Sequence, residues 1–461
     1  MSQIDQLISD FASFVWGFPL LILLVGGGLF LLFMSKMISF RYLFHSINIL
    51  RGKYDDEQSE GEISHFAALT TALSSTIGMG NIAGVAVAIT IGGPGAIFWM
   101  WVSGLIGMCT KFFTCTLSIL YRGKDSAGRV QGGPMYFIVE GLGKKWKPLA
   151  IFFSLAGLIG ALPVFNVNQL TQAVGDILLA PQGIEVTTSV NATIGIILIL
   201  ITCVVIFGGI KRISDTATKL VPTMVVLYFL LVVVILIANY EQVPHYLSLI
   251  ITDAFAAEHY SGDPLLGGML GGLILLGIRR GAFSNEAGIG TAPMAHGAAK
   301  TNEPIREGLV AMLGPAIDTL VVCTLTALAI LVTDTWLTSD SNGVSLTASA
   351  FSDVFHGFGP YLLLLCVAVF SISSLFSFSY YGTKCLSFLI GADKAHWYNY
   401  FYIASIMIGA TFSLDAIINL IDGFYALMAF PTMIATILLS KKVLAKAKDY
   451  FRRMQAQKEL K

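Results

Sequence analysis

Apolar residues run along this chain in blocks of about twenty, the length an α-helix needs to cross the hydrocarbon core of a bilayer. The blocks fall near residues 18–35, 66–92, 95–121, 149–173, 191–208, 220–238, 264–293, 307–333, 358–390, 398–413 and 416–440, which predicts about eleven spans. One block is interrupted. Ser74-Ser-Thr-Ile-Gly-Met-Gly-Asn81 puts two glycines and an asparagine in the middle of 66–92. Glycine costs about 1 kcal/mol against alanine in a helix interior, and a backbone group freed in lipid costs several more. A spanning helix that breaks at mid-depth is tolerated only where it lines a cavity or is buried in protein. Secondary transporters use such breaks: the N-terminus of one half-helix faces an anionic group of the substrate, while unwound carbonyls hold a cation. The pattern therefore reads as an all-α membrane protein that carries a solute.

Composition agrees. Of 461 residues, 55% are hydrophobic and only 12% charged, and the mean hydropathy is +0.76; a soluble domain carries about 25% charged residues. The formal net charge is zero, so no global field argues for nucleic acid. Met1 to Gly17 contains Asp5 and Asp10 and no Lys or Arg, unlike the basic start of a signal peptide. Six cysteines sit singly in apolar spans, a spacing that suits neither a zinc site nor a disulfide framework.

Charge placement orients the spans. Lys and Arg follow the first, third, fifth, seventh and ninth blocks and fill the tail from Lys441 onward, with Arg279 and Arg280 counted at the end of the seventh. The alternate loops carry acids and no Lys or Arg, for example Asp253, Asp263, Asp334 and Asp422. Positive charge stays inside, which places the N-terminus outside and the C-terminus in the cytoplasm of a cell (inner) membrane protein. Residues 40–50 read either as an interfacial helix or as a plain linker. The tail reads as a basic amphipathic helix with a solvated end.

With the first span set aside, ten remain. The broken span is the first of them, and five spans later 264–293 enters from the opposite side and is rich in glycine. Interrupted segments at matching positions of two oppositely oriented halves are the signature of an inverted repeat with the substrate between the halves. The predicted organisation is an extra N-terminal helix and interfacial segment (1–60), a first five-helix repeat (61–240), a second, inverted repeat (241–440) and a basic tail (441–461).

Chemistry can be placed on this frame. Backbone N–H groups of Met79, Gly80 and Asn81 open the outer half-helix, whose N-terminus carries about half a positive charge and suits a carboxylate. The inner half-helix ends at Ser74–Ile77, and its free carbonyls suit a hard cation. Ser373 and Ser374 on the ninth span offer hydroxyl oxygens, unless they simply bond back to their own helix. No Asp, Glu or His lies near the motif in sequence, and an all-neutral oxygen cage favours Na+ over a proton relay.

Thr76-Ile-Gly-Met-Gly-Asn-Ile-Ala-Gly84, Gly92-Gly-Pro-Gly-Ala-Ile-Phe-Trp-Met-Trp-Val-Ser103, Gly132-Gly-Pro-Met-Tyr136, Phe283-Ser-Asn-Glu-Ala-Gly-Ile-Gly-Thr-Ala-Pro-Met-Ala-His296, Ile317-Asp-Thr-Leu-Val-Val-Cys-Thr-Leu-Thr326 and Ser379-Tyr-Tyr-Gly382 resemble the alanine or glycine:cation symporters (sodium:alanine symporters). The resemblance implies a LeuT-type fold, with five-plus-five inverted repeats and broken first and sixth fold helices, and cation-driven uptake of a small neutral amino acid, alanine or glycine first. It implies that Met79, Gly80 and Asn81 meet the substrate. It also matches Ser74, Ile77, Ser373 and Ser374 to the sodium site. Asn166 stands where the family is expected to have Gln, Ser377-Phe378 where it commonly has Gly-Trp, and Thr114 where it often has Glu. The first two enlarge the expected pocket, so a larger neutral substrate such as glutamine or serine remains open, as does H+ coupling. Position suggests Gly277 and Ile278 for the break in the sixth fold helix. Asn285 and Glu286 are expected toward the cytoplasmic mouth, in a gating or structural role.

Two charges lie at depth. Lys111 and Asp318 sit on the second helix of each repeat, each about 15 Å from the cytoplasmic end at 1.5 Å per residue. Intramembrane charges usually pair, and an ion pair between them is expected, with separate capping or a proton site at Asp318 as alternatives. An ion channel would want a pore-lining ring from several subunits, which ten spans around one central break do not require. An enzyme would need ligands or a nucleophile at depth, and the seven histidines fall in loops or near span ends. The expected partners are Na+, a neutral amino acid and the bilayer, with no organic cofactor and no nucleic acid, in a carrier that can act as a monomer.

Overall fold

A computed structural model describes residues 3–54, 58–263, 268–339, 341–412 and 415–459. Among the described residues, eight helical stretches are long and apolar enough to cross a membrane, and a bent pair, His65–Thr76 with Gly80–Gly92, makes a ninth at an angle of 56°. Each falls on a predicted block. The two remaining blocks hold Gly268–Asn285, at 18 residues, and Trp397–Thr411, at 15 residues. Between Gly95–Leu120 and Lys144–Gln182 lie a two-residue hairpin ladder, Gly123–Lys124 against Val130–Gln131, and the short helix Pro134–Leu142.

The Gly95–Leu120 helix is the most enclosed element, and Lys111, Phe112 and Phe113 are among the largest fully buried side chains. Small residues let its neighbours approach. A Cβ on Gly277 would stand 2.5 Å from both the Ala96 carbonyl and Trp99 Cβ, and one on Gly281 would stand 2.7 Å from Ser103 Cβ. Gly277 and Gly281 are four residues apart, one turn of a helix face. The glycine richness of this segment therefore serves close packing. Gly277 and Ile278 lie inside the continuous helix Gly268–Asn285, which corrects the expected break. The chain breaks after Asn285, where Glu286, Gly288 and Gly290 take φ of 55°, 91° and 112°, before the short helix Thr291–His296. Only glycine adopts the left-handed region without strain, so Gly288 and Gly290 make this turn possible.

The basic loops gather at one end. Arg122 donates to the carbonyls of Gly297 (3.1 Å), Glu60 (3.0 Å) and Thr301 (3.0 Å), and Arg306 donates to Tyr54 (3.0 Å). Acidic loop residues meet at the other end: Asp253 accepts from the Gly95 amide at 2.8 Å, and Asp334 accepts from Tyr246. Residues 40–50 are helical, as Ile38–Arg41 and Leu43–Leu50. They pack on the C-terminal helix Ala429–Glu459: Tyr42 stacks on Phe451 at 3.6 Å, and His45 bonds Tyr450 at 2.8 Å. The tail is thus amphipathic: Val443, Tyr450 and Phe451 are buried on its own chain, while Lys441, Lys442, Lys446, Arg452 and Arg453 are exposed.

Candidate functional site

The first broken helix defines the site. His65–Thr76 is capped by Ser64, whose hydroxyl accepts from the Ala67 amide at 3.2 Å. It stops because Ile77 turns extended, at ψ 98°. The Gly78 amide, the next donor for the Ser74 carbonyl, instead donates to Asn81 Oδ1 at 2.9 Å. That diversion leaves the Ser74 carbonyl free of the helix ladder, and Ser373 Oγ donates to it at 3.4 Å. Ser374 Oγ lies against Gly78, 3.0 Å from where a Cβ would stand. Ser377 adds a third hydroxyl, bonded to Ser74 Oγ and, at 2.9 Å, to the Thr71 carbonyl. Ser74, Ile77, Ser373 and Ser374 are thus brought together around the end of one helix. Ser373 and Ser374 also bond back to the Phe370 carbonyl, at 2.9 and 3.1 Å. Neutral oxygens of this kind suit a hard monovalent or divalent cation.

The outer half starts as a π-helical turn, Gly80–Gly84, with Met79 at its N-cap. Met79 and Gly80 face a cavity of ≈ 280 Å³, and so do Asn166 and Phe378. Asn81 does not. It is fully buried behind the break, where Nδ2 donates to Asp318 Oδ1 at 2.7 Å. Gly277 and Ile278 are absent from this wall; Ile278 lines a separate small pocket with Ser103 and Gly107.

Space reverses the reading that no acid lies near the motif. Glu286, placed by the second break, lines the central cavity. It accepts from Thr291 at 2.5 Å and from Ser75 at 3.3 Å. It therefore lines the same cavity as Met79 and Gly80. The Asn285 oxygen accepts from the Ala287 amide at 3.0 Å and its nitrogen donates to Thr319 at 3.2 Å.

Asp318 lies in a second π-helical segment, Ala316–Cys323, and π turns recur at functional sites. Its carboxylate accepts from Asn81, from Ser284 at 2.8 Å and from Thr319 at 2.9 Å. Among the described residues no ion pair joins Lys111 to Asp318, which corrects the expected pair: three neutral donors already occupy the carboxylate. Lys111 remains within electrostatic reach of Glu286 and Asp318.

Arg279, Arg280 and Asp422 also line the cavity. Charge placement alone assigns the arginines to a cytoplasmic span end and Asp422 to an outer loop, although the apolar blocks 264–293 and 416–440 contain them. The available signal was two adjacent arginines inside a run that stays apolar on both sides. Four aromatic rings complete the wall, Phe165, Phe283, Phe378 and Tyr425, with Phe283 6.1 Å from Phe165 and 6.4 Å from Tyr425.

A cavity of amino-acid size beside two helix breaks is the geometry of a LeuT-type carrier, and the sequence profile of the sodium:alanine symporter family matches residues 1–461. This chain belongs to the sodium:alanine symporter family. As a member of that transporter family it is a multi-pass membrane protein. It is 39% identical over 450 residues to the sodium/alanine symporter AgcS of Methanococcus maripaludis, across 96% of this chain and 97% of that one. It is 36% identical over 461 residues to the probable sodium/glutamine symporter GlnT of Bacillus subtilis, across 100% and 93%. The crystal structure of MhsT in complex with L-phenylalanine superposes with a TM-score of 0.56 over 84% of this chain and 89% of that one, at 14% identity. That likeness is one of fold.

Proposed function

We propose that this symporter-family member imports a neutral amino acid together with Na+ by alternating access, with its N-terminus outside and its C-terminus in the cytoplasm. The observation that carries the reading is the diversion of the Gly78 amide to Asn81. It frees the Ser74 carbonyl toward Ser373 on one side of the break, and leaves the first-turn amides of Met79 and Gly80 at the cavity on the other. Carbonyl and hydroxyl oxygens hold the cation, and the half-helix N-terminus receives the substrate carboxylate. The gathering of basic loops at one end supports the orientation. Ten spans in two inverted five-helix halves, 61–240 and 241–440, with one extra span ahead of them in 1–60, are the arrangement this mechanism uses. Asn166 and Phe378 bound the space for the substrate side chain. Alanine and glycine fit as the smallest substrates; glutamine and serine are the larger class.

Proton coupling is the second reading, favoured by Glu286 at the cavity and its contact with Ser75. Reconstitution in proteoliposomes separates the two. Saturable uptake of a radiolabelled neutral amino acid that needs an inward Na+ gradient supports the first. Uptake driven by an inward proton gradient without Na+ supports the second. Passive ohmic conductance without coupled uptake rejects both.

A further inference from the structure

The cavity wall carries charges that neither the carboxylate site nor the cation site uses. Arg279 and Arg280 are the twelfth and thirteenth residues of the 18-residue helix Gly268–Asn285, in the interior of an apolar block. Ionisable residues at such depth are expensive and mark substrate pathways. Asp422 approaches the same cavity from the last span. Yet among the described residues no ion pair joins either guanidinium to Asp422. Arg279 is engaged with the Trp16 ring at 5.4 Å. Arg280 Nε and Asp422 Oδ1 are both buried and lack a hydrogen-bond partner. A buried donor and a buried acceptor without a protein partner thus stand beside one cavity, and polar groups so placed call for a partner. Both are satisfied by a ligand that brings an acceptor and a donor together.

We infer that Arg280 and Asp422 form a subsite for the end of the substrate side chain, and that the side chain it takes is a carboxamide. Its carbonyl oxygen accepts from the Arg280 guanidinium, and its amide nitrogen donates to the Asp422 carboxylate. The formal charges on the wall, Arg279 and Arg280 against Glu286 and Asp422, sum to zero, which favours an uncharged side chain over a carboxylate. The aromatic rings of Phe165, Phe283 and Phe378 cover the aliphatic stem. The Trp16 indole, close to Asp422 with its own Nε1 unpartnered, is the competing donor from within the protein. The inference rests on the neutral amino-acid reading above and narrows it.

The test compares L-asparagine with L-leucine, which is nearly its isostere, and L-glutamine with L-glutamate. Alanine serves as the reference, and the full chain is used in proteoliposomes under an inward Na+ gradient. Sites built to hydrogen-bond a substrate reject analogues that lack the group. Asparagine or glutamine should therefore compete with labelled alanine at concentrations at least ~10-fold below leucine or glutamate. Arg280→Met and Asp422→Asn should each raise the half-maximal concentration of the carboxamide ~10-fold or more while alanine moves less than about twofold. Trp16→Phe should leave the ranking unchanged. In detergent, asparagine should raise the melting temperature of the unaltered protein more than leucine does, a readout that needs no variant to fold. Coupled alanine uptake with no preference for asparagine over leucine overturns the subsite while leaving the carrier reading intact. So does an equal shift of alanine and asparagine in both variants, which would make the residues a gate or a support. A ranking that collapses in Trp16→Phe overturns it too, since Asp422 would then answer to the indole. Failure of every neutral amino acid to enter under a Na+ or a proton gradient overturns the carrier reading itself.

Discussion

Asn81 donates to Asp318 across 2.7 Å while its oxygen holds the Gly78 amide at 2.9 Å. One side chain thus fixes the break in the first fold helix and ties it to the π segment 316–323. Asn81→Ala should remove both bonds, leaving a buried amide and part of a buried carboxylate unserved, at a cost of about 2–3 kcal/mol. Asn81→Asp should be worse, about 3 kcal/mol or more, because it sets a second buried carboxylate beside Asp318. Thermal melting in detergent and coupled uptake report the two losses. A variant Asn81→Asp as stable as the unaltered protein would contradict the role.

Ser373 and Ser374 should matter to the ion more than to the substrate. Ser374→Ala and Ser373→Ala are expected to raise the sodium concentration for half-maximal uptake several-fold, with a smaller change in the substrate concentration at saturating sodium. Sodium activation curves that overlay for both variants would move the ion elsewhere.

Removing Asp318 should cost more than removing Lys111. Asp318→Leu strands three buried donors, those of Asn81, Ser284 and Thr319, at a cost of about 3 kcal/mol or more, at about 1 kcal/mol or more for each. Lys111→Met takes away one charge that makes no ion pair here. Because no direct pair exists, the double change should not recover stability relative to Asp318→Leu. Recovery in a double-mutant cycle would show that the two side chains meet.

Gly277→Ala separates packing from hinging. The added Cβ would meet Ala96 and Trp99 at 2.5 Å, and overpacking of this kind costs about 1–3 kcal/mol. The melting temperature should fall, and Trp99→Ala should not restore it, because the facing atoms, the Ala96 carbonyl oxygen and the Cβ at position 99, both remain. A hinge role predicts instead a transport defect with unchanged stability.

Glu307 accepts from His65 and, at 2.5 Å, from His296, all three buried. Glu307→Ala should leave two imidazole donors unserved and destabilise the protein by about 2–4 kcal/mol. Glu307→Gln, which keeps only one acceptor oxygen, should fall between. Melting curves for both variants rank the effect; equal stability in all three proteins would remove the cluster from the structural account.

Much of this architecture is readable from residues alone, for identifiable reasons. The first break is visible because Gly78, Gly80 and Asn81 are poor helix residues within one turn of each other. The second was obscured by the glycines themselves. Gly277 and Gly281 are packing residues, whereas the turn is made by Glu286, Gly288 and Gly290, only two of which are glycine. Met79, Gly80, Asn166 and Phe378 were placed at the cavity by motif position. Arg279, Arg280 and Asp422 are not, although they lie inside the blocks 264–293 and 416–440, because sorting charges by the positive-inside rule counts each of them with a loop. Lys111 and Asp318 share a depth, which sequence shows, but the neutral donors that satisfy Asp318 come from Asn81 and Ser284, far away along the chain.

The carboxylate of Glu307 has a mechanical consequence. His65 begins the inner half of the first broken helix, and His296 ends the short helix that follows the second break. Both grip one side chain on the Pro304–Ala311 helix. Whatever tilts either of these arms drags on a shared rivet, so the two arms shift as one piece unless the Glu307 contacts break.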